Sequence, residues 1–446
     1  MKAQQVIVIG SGAGGLCTAA RLAQSGHKVL VLEKLPFLGG RFSSLKHRGF
    51  HITTGAISIE CGAALEHTFD ELGASFDVRH PYPRVRYRIE GKDYDMPERG
   101  GLRFLISKAA GNEQETRSVL KGFQEPSLLP ETGSQISVRD WLRQFTENER
   151  ILGIFQTLCG GAFSINSYEA PAAELFKLLR GGGFSNFGFA AKGNAALSQS
   201  LADIVTKNGG ENWTGSAVNR IIVEGGMVKG VVVKKDDRER ELAASFVVSD
   251  VGPEKTVQLA GAPNFDAEYL RSSVSSIKPS YTLLLEIISD RPLVDFPGIL
   301  MTVGTRRTAF IVTQTICCPE LAPEGKHLTT VLGTPEFSHP PLNLRREFDL
   351  MIADARDNIA GFDNYAEDLM MRSFHGDWPG FRARPGYDAP QRTPIVGLYN
   401  VGDGAKAAGC VGLSGCAEAA RLVAEEIDEL IQSHRRQEFD FSGKNK

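Results

Sequence analysis

Three features of the 446-residue chain predict an α/β fold in which a Rossmann-like, dinucleotide-binding domain carries an inserted α+β domain. Near the N-terminus, an apolar run, a glycine cluster and a helix-spaced apolar pattern lead into a second apolar run, as in a parallel strand–helix–strand unit. Mid-chain, β-rich segments are punctuated by Pro and Gly, as in antiparallel sheet. Toward the end, an apolar strand, a glycine-rich stretch and a helix restore the first texture.

Taken in order, Val6 to Ile9 reads as a buried parallel strand. Leu16, Ala19, Ala20 and Ala23 follow at helical spacing, and Val29 to Leu32 completes a unit with a right-handed crossover. Leu65, Phe69 and Leu72 predict a helix stopped by Gly73. Arg84 to Met96 alternates around Glu90-Gly91-Lys92 and predicts a hairpin. Ser137 with Asp140 caps a helix carrying Trp141, Leu142 and Phe145, and Ala172 to Leu179 predicts another before the Gly181-Gly182-Gly183 break. A helix is expected from Asn194 to about Lys207, then a hairpin of Val218 to Val223 with Val228 to Val233, then a buried strand at Phe246 to Ser249. Tyr281 to Ile288, Ile299 to Val303, Ala309 to Ile316 and Leu328 to Leu332 supply the antiparallel sheet. Leu398 to Val401 is the last strand and Ala417 to Leu430 the last helix, with a disordered polar tail expected over 433–446.

The length and 42% hydrophobic content allow two cores. With 50 basic and 53 acidic side chains and no long run of either sign, nucleic acid is not an expected partner. The N-terminus lacks the pattern of a secretory signal, and no apolar stretch suits a membrane span, so a cytoplasmic location is expected, with peripheral membrane contact left open. Seven scattered cysteines predict reduced thiols, and no metal-ligand spacing emerges.

The chemistry-bearing motif is Gly10-Ser11-Gly12-Ala13-Gly14-Gly15, placed at a strand end and opening a helix. There glycines let the backbone approach a pyrophosphate held at the positive helix terminus. Glu33 ends the second strand, where an acid accepts hydrogen bonds from ribose hydroxyls and disfavours a 2′-phosphate. These residues suit NAD and FAD alike.

Glu33-Lys34-Leu35-Pro36-Phe37-Leu38-Gly39-Gly40-Arg41-Phe42 resembles the acid-to-Gly-Gly-Arg segment of the flavin amine oxidase superfamily. Tyr399-Asn400-Val401-Gly402-Asp403-Gly404, followed by Gly409, Gly412, Gly415 and a helix through Glu418, resembles its C-terminal flavin motif. Ala191-Lys192-Gly193-Asn194, Val218-Asn219-Arg220-Ile221 and Phe246-Val247-Val248-Ser249-Asp250 fit the same family, so the resemblance covers nearly the whole chain. Its texture is most like the phytoene desaturase and carotenoid isomerase branch. The resemblance implies FAD as cofactor and a two-dinucleotide-binding fold: an FAD domain from 1–80, 190–255 and 390–432, and a substrate domain from 81–189 and 256–389. The implied cofactor-binding residues are Gly10, Gly12, Ala13, Gly14, Gly15, Glu33, Lys34, Gly40, Arg41, Val218, Gly402, Asp403, Gly412, Leu413 and Ser414. Arg41 would meet the pyrophosphate and Asp403 the ribityl–pyrophosphate stretch. N–H groups at Gly412 to Ser414 would face the flavin's carbonyl edge.

In this class the flavin accepts a hydride at N5 and the protein supplies orientation and a dry cavity. The implied activity is oxidation, desaturation or isomerisation of an apolar, isoprenoid- or polyene-like small molecule; the alternatives are an amine oxidase releasing hydrogen peroxide and a non-catalytic flavin-binding subunit. Lys278 loosely resembles the lysine that amine oxidases place near N5 through a water, and also suits a solvated lysine before a proline. Tyr281 and His51 are candidate cavity residues, although a strand tyrosine and a lone histidine are commonly structural. Cys410 and Cys416 read as packing residues. No second nucleotide site is visible, so electrons are expected to leave to oxygen, a quinone or a diffusible partner. Gly49-Phe50-His51 stands where many relatives carry an acid near a glycine, and the 256–390 segment offers no long apolar helix for membrane docking.

Overall fold

The computed structural model describes residues 4–125, 128, 135–180, 186–275, 277–374, 382–384, 386–407 and 410–443. Gly181 to Gly183 and Gly409 lie outside them.

Two seven-stranded sheets organise the chain. In the first, Glu211–Trp213, Val29–Leu32, Gln4–Ile9, the C-terminal part of Arg238–Ser249 and Leu398–Asn400 run parallel. Strands buried on both faces need apolar side chains throughout, which is why Val6 to Ile9 and Val29 to Leu32 lack polar alternation. Val6, Val8, Val29 and Val31 pack against the helices Ala13–Gln24, Asn194–Lys207 and Gly412–Gly443. Ile7, Ile9, Leu30 and Leu32 face the other way, onto the helix Pro253–Ala260 and the meander Ala217–Glu224, Met227–Lys235 and Arg238–Ser249.

The second sheet runs Asp368–Phe374, Thr282–Ser289, His327–Gly333, Thr308–Val312, Ile299–Thr302, Val85–Ile89, Lys92–Asp95. All its pairs are antiparallel except Ile299–Thr302 with Val85–Ile89. One face packs on the helices Val138–Leu142, Glu149–Phe163 and Ala172–Arg180, the other on Leu344–Asn358. The strand Phe187–Ala190 joins Ile59–Glu60 and Val78–Arg79, and the cluster carrying Phe187 and Phe189 is continuous with the core of the second sheet.

Several details depart from the expected elements, among them the helix expected to carry Phe145, which ends at Leu142. The strand expected over Ala309 to Ile316 ends at Val312, and Gln314–Ile316 is a 3-10 turn in which the Gln314 carbonyl accepts from the N–H groups of Cys317 and Cys318. The helix Leu344–Asn358 was not anticipated, because Phe348, Met351 and Ala355 are diluted by charged neighbours. Asp368–Phe374 is an edge strand whose apolar Leu369 and Met371 are exposed while Phe374 is buried, so its apolar residues do not follow the alternation that marks a half-buried strand. The last helix starts at Gly412 rather than Ala417 and runs to Gly443, through the segment expected to be disordered from Ser433. Once its face of Ala420, Val423, Ala424, Ile427 and Ile431 is packed, each further Arg, Gln or Glu extends an existing helix without a new nucleation cost. Among the described residues no helix is long and apolar enough to cross a membrane.

Candidate cofactor and active site

The glycine motif sits where the first strand hands over to its helix, and backbone crowding dictates its composition. Gly10 has φ +92°, a left-handed conformation that favours glycine. A Cβ on Gly12 would lie 2.5 Å from Asp250 Oδ2, one on Gly14 would lie 2.5 Å from the Gly402 nitrogen, and one on Gly15 would collide with the Gly10 carbonyl oxygen. The two glycine-rich segments, far apart in sequence, therefore pack backbone to backbone. The helix Ala13–Gln24 has no side-chain cap from its own segment and no acid in its first turn, so its N-terminal N–H groups face the Asp250 carboxyl and any ligand that arrives there.

Glu33 is buried at the end of the second strand. Its Oε2 accepts from the Ser11 N–H at 3.0 Å and the Ser11 hydroxyl at 2.6 Å, and its Oε1 from the Leu35 N–H at 2.9 Å. Ser11 Oγ also accepts from the Gly39 N–H, tying the first glycine motif to the Gly39-Gly40 segment. The N–H of Ser216 donates to the Glu33 carbonyl, which brings the start of the Ala217–Glu224 strand, and Val218 with it, alongside Glu33. Ala13 is buried as the first helical residue, Gly40 has φ +51°, and Lys34 is exposed.

Arg41 donates to Asp403 Oδ2 at 2.7 Å, and Lys406 Nζ reaches Asp403 Oδ1 and Asp388 Oδ1, each at 2.8 Å. Lys406 is only 5% exposed. Burial works to discharge it, but Asp403 and Asp388 outweigh burial and hold its pKa above the ordinary lysine value. Sequence reasoning singled out Arg41 and Asp403, which the structure pairs, but not Lys406 and Asp388. The available signal was a lysine inside the otherwise small, apolar run Ala405-Lys406-Ala407, a placement that asks for a buried partner.

Gly412 opens the last helix with φ +61°. The Glu60 carboxylate lies against it and accepts from the Ser414 N–H at 3.1 Å. Glu60 thus occupies the helix terminus that Gly412, Leu413 and Ser414 were expected to offer to a ligand. Nothing local to Glu60 announces this contact, which joins residues 354 positions apart.

His51 lies on the strand Phe50–Thr53, paired with Ser44–His47. Burial, and then the charge of Lys46 opposite it, lower its pKa against the contrary pull of a hydrogen bond with the Lys192 backbone, so the imidazole is neutral at pH 7. It lines a cleft with Ser44, Thr53, Asn194, Gln314 and Leu321, between the loop leading to Asn194–Lys207 and the 3-10 turns after Val312. Asn194 Nδ2 donates to the Ala56 carbonyl and Gln314 Nε2 to the Ile57 carbonyl, so both amides are held by backbone. Lys278 and Tyr281 do not line this cleft. Lys278 is exposed beside the short strand Pro279–Ser280, and the N–H of Tyr281, itself half-buried, donates to the Ser338 carbonyl. Cys416 is buried and Cys410 half-buried, and no group of acids, histidines and cysteines among the described residues is arranged to hold a metal.

The residues fit a dinucleotide on structural grounds. An uncapped helix terminus, glycines with no room for a side chain, a ribose-side acid and an arginine–aspartate pair converge, and Asp250 Oδ2 is shielded from water without a hydrogen-bond partner. The comparisons agree. The model of flavin containing amine oxidoreductases matches residues 13–428. An uncharacterised protein of Methanocaldococcus jannaschii is 29% identical over 95% of this chain and 99% of its own. A zeta-carotene-forming phytoene desaturase of Myxococcus xanthus is 26% identical over 84% of this chain and 82% of its own. The crystal structure of an oxidoreductase from Methanosarcina mazei superposes with a TM-score of 0.82 at 29% identity, covering 94% of this chain and all of that one. A glycine cradle for a dinucleotide and a family match that runs across both sheets lead to one conclusion: this chain belongs to the flavin containing amine oxidoreductases and is an FAD-dependent oxidoreductase.

Proposed function

We propose that this enzyme oxidises or desaturates an uncharged, apolar small molecule of isoprenoid or polyene type, passing its electrons on to oxygen, a quinone or a diffusible partner, or isomerises one with no net transfer of electrons. The cleft beside His51, about 10 Å³ and so room for about one water, does not itself hold a substrate of this size, and what bears on substrate class is the chemistry of its walls. Its lining has no charged side chain, its histidine is neutral, and its amides are already engaged by backbone carbonyls. A protonated amine held against such walls would be desolvated without a carboxylate partner, at a cost of several kcal/mol. The likeness to the Myxococcus desaturase over most of both chains supports the same substrate class.

When bound, FAD would supply the redox chemistry as the hydride acceptor. The chain's own part is positional. Gly10 to Gly15 and the N-terminus of Ala13–Gln24 receive the diphosphate, Glu33 the adenosine ribose, and Arg41 with Asp403, braced by Lys406, the ribityl–diphosphate stretch. His51 and its neighbours would orient the substrate and exclude water.

The test is anaerobic reduction of the bound flavin by a panel of saturated and unsaturated isoprenoids, read by loss of visible absorbance in a stopped-flow instrument. Bleaching by one of them, with no fast bleaching by NAD(P)H, is the expected result. Bleaching by amines alone, with peroxide release in air, would replace this reading by an amine oxidase. A flavin that no candidate reduces would point to a non-catalytic role.

A further inference from the structure

Asp250 ends the strand Arg238–Ser249, and its N–H donates to the Ile9 carbonyl, which fixes the residue at the mouth of the glycine motif. Its side chain is wedged between the two glycine-rich segments. Cβ atoms built on Gly12 and Gly15 would come within 2.5 and 3.0 Å of Oδ2, and one on Gly402 would collide with Oδ1. The carboxyl group therefore stands at the uncapped N-terminus of Ala13–Gln24, where a diphosphate has to arrive, and Oδ2 is sealed from water with no hydrogen-bond partner.

An ionised carboxylate in this place would meet a second anion at contact distance. A neutral carboxyl group would have one O–H to give, and Oδ2 has no hydrogen-bond partner within the protein. A diphosphate oxygen is the acceptor the geometry lacks.

We propose that Asp250 is a proton-carrying ligand of the cofactor: with FAD bound, a small side-chain shift opens Oδ2 to the site, Oδ2–H donates a hydrogen bond to a diphosphate oxygen, and ionisation of the carboxyl group weakens the complex. The proposal rests on the flavin assignment above.

The surroundings favour the neutral form. Burial raises the Asp250 pKa to about 7, against the lowering influence of the Gly15 and Gly12 N–H groups and of Arg41, with the charge of Glu33 adding to the rise. From the helix Ala13–Gln24 it faces Cys17, and from the last helix Cys416; burial pushes both thiols up, Cys17 to about 12, so neither titrates in the neutral range. Asp403, next to Gly402, is paired with Arg41 and Lys406, and Glu254 on the following helix is exposed. A bound dianion raises the Asp250 pKa further. Affinity is therefore constant below about pH 7, where both free and bound protein hold the proton, and falls by up to tenfold per pH unit above it, where only the complex does.

The experiment measures FAD binding to the full-length protein stripped of flavin, by quenching of flavin fluorescence from pH 6 to 9, for the wild type and for Asp250→Asn. The wild-type dissociation constant should rise at least tenfold between pH 6.5 and 8.5, and calorimetry at pH 8 in buffers of different ionisation heat should show uptake of about one proton per FAD. Asp250→Asn, which keeps a neutral donor, should bind with little pH dependence and no proton uptake. Asp250→Ala should bind weakly at every pH, and its far-ultraviolet circular dichroism would show whether it is folded. A wild-type profile flat over this range, or an Asp250→Asn profile as steep as the wild type's, overturns the proposal while leaving the flavin assignment intact. Failure of the wild type to bind FAD even at pH 6 overturns both.

Discussion

Two helices open on glycine at the site, Ala13–Gln24 and Gly412–Gly443, and they treat their N-terminal N–H groups in opposite ways. The first has no cap from its own segment and faces Asp250, whose pKa is pushed up to about 7. The second already holds a carboxylate, because Glu60 accepts from the Ser414 N–H. A helix terminus carries about half a positive charge in either case. What differs is whether the fold answers that charge itself or keeps it for a ligand. The uncapped end lies where two backbones and the Asp250 side chain meet, so the glycines have no room for a side chain of their own. The capped end faces a half-buried strand whose acid reaches it easily. If the flavin's carbonyl edge meets Gly412 to Ser414, as the resemblance implies, Glu60 shares those N–H groups or gives way.

The contrast can be broken most severely at the first end. Gly14→Ala forces a methyl group to within 2.5 Å of the Gly402 nitrogen, where backbone on both sides leaves nothing to move aside. The purified variant is expected to lack flavin absorbance and to take up added FAD more than a hundredfold more weakly, whereas Gly26→Ala, with no atom within 4 Å of the added Cβ but φ +84°, should lose only some stability and keep its flavin. Equal flavin content in both variants would dissolve the distinction between a crowded cradle and an ordinary glycine turn.

Next in size is the brace behind Asp403. Lys406→Met leaves Asp388 and Asp403 without their shared buried cation, a loss on the order of 3–5 kcal/mol. Chemical denaturation should show it directly, with flavin retention falling in parallel. A loss below about 1 kcal/mol would mean that water replaces the ammonium and that the cluster is not a structural brace.

The smallest effect belongs to the capped end. Glu60→Gln removes the charge facing Gly412 and should lower the stability of flavin-free protein by about 1 kcal/mol, less at high salt. Unchanged thermal unfolding at both salt concentrations would show that the helix end is satisfied without Glu60.

How much of this was legible varies from residue to residue. Gly10, Gly12, Gly15 and Glu33 were readable because the strand–turn–helix context and the acid's position repeat wherever a diphosphate meets this unit. Arg41 and Asp403 were readable by resemblance, and the structure pairs them directly. Asp250 was visible as the end of a buried strand, yet its role was not, since an aspartate in that position reads equally as a solvated chain turn. His51 was a candidate without a context until its partner strand and Gln314 gave it one. Lys278, singled out by a loose likeness, is exposed.

By itself the sequence determined the parallel core, the crossover and the crowded glycine turn, because period, propensity and the exclusion of a Cβ are local and act through residue type. Tertiary structure alone decided that Glu60 caps a helix more than three hundred residues away, that Lys406 sits between Asp388 and Asp403, and that Asp250 is cut off from water. Those outcomes depend on desolvation and on which distant groups share a buried volume. A charged residue's energy there is set by its surroundings, and its letter in the sequence is the same whether it is solvated or sealed.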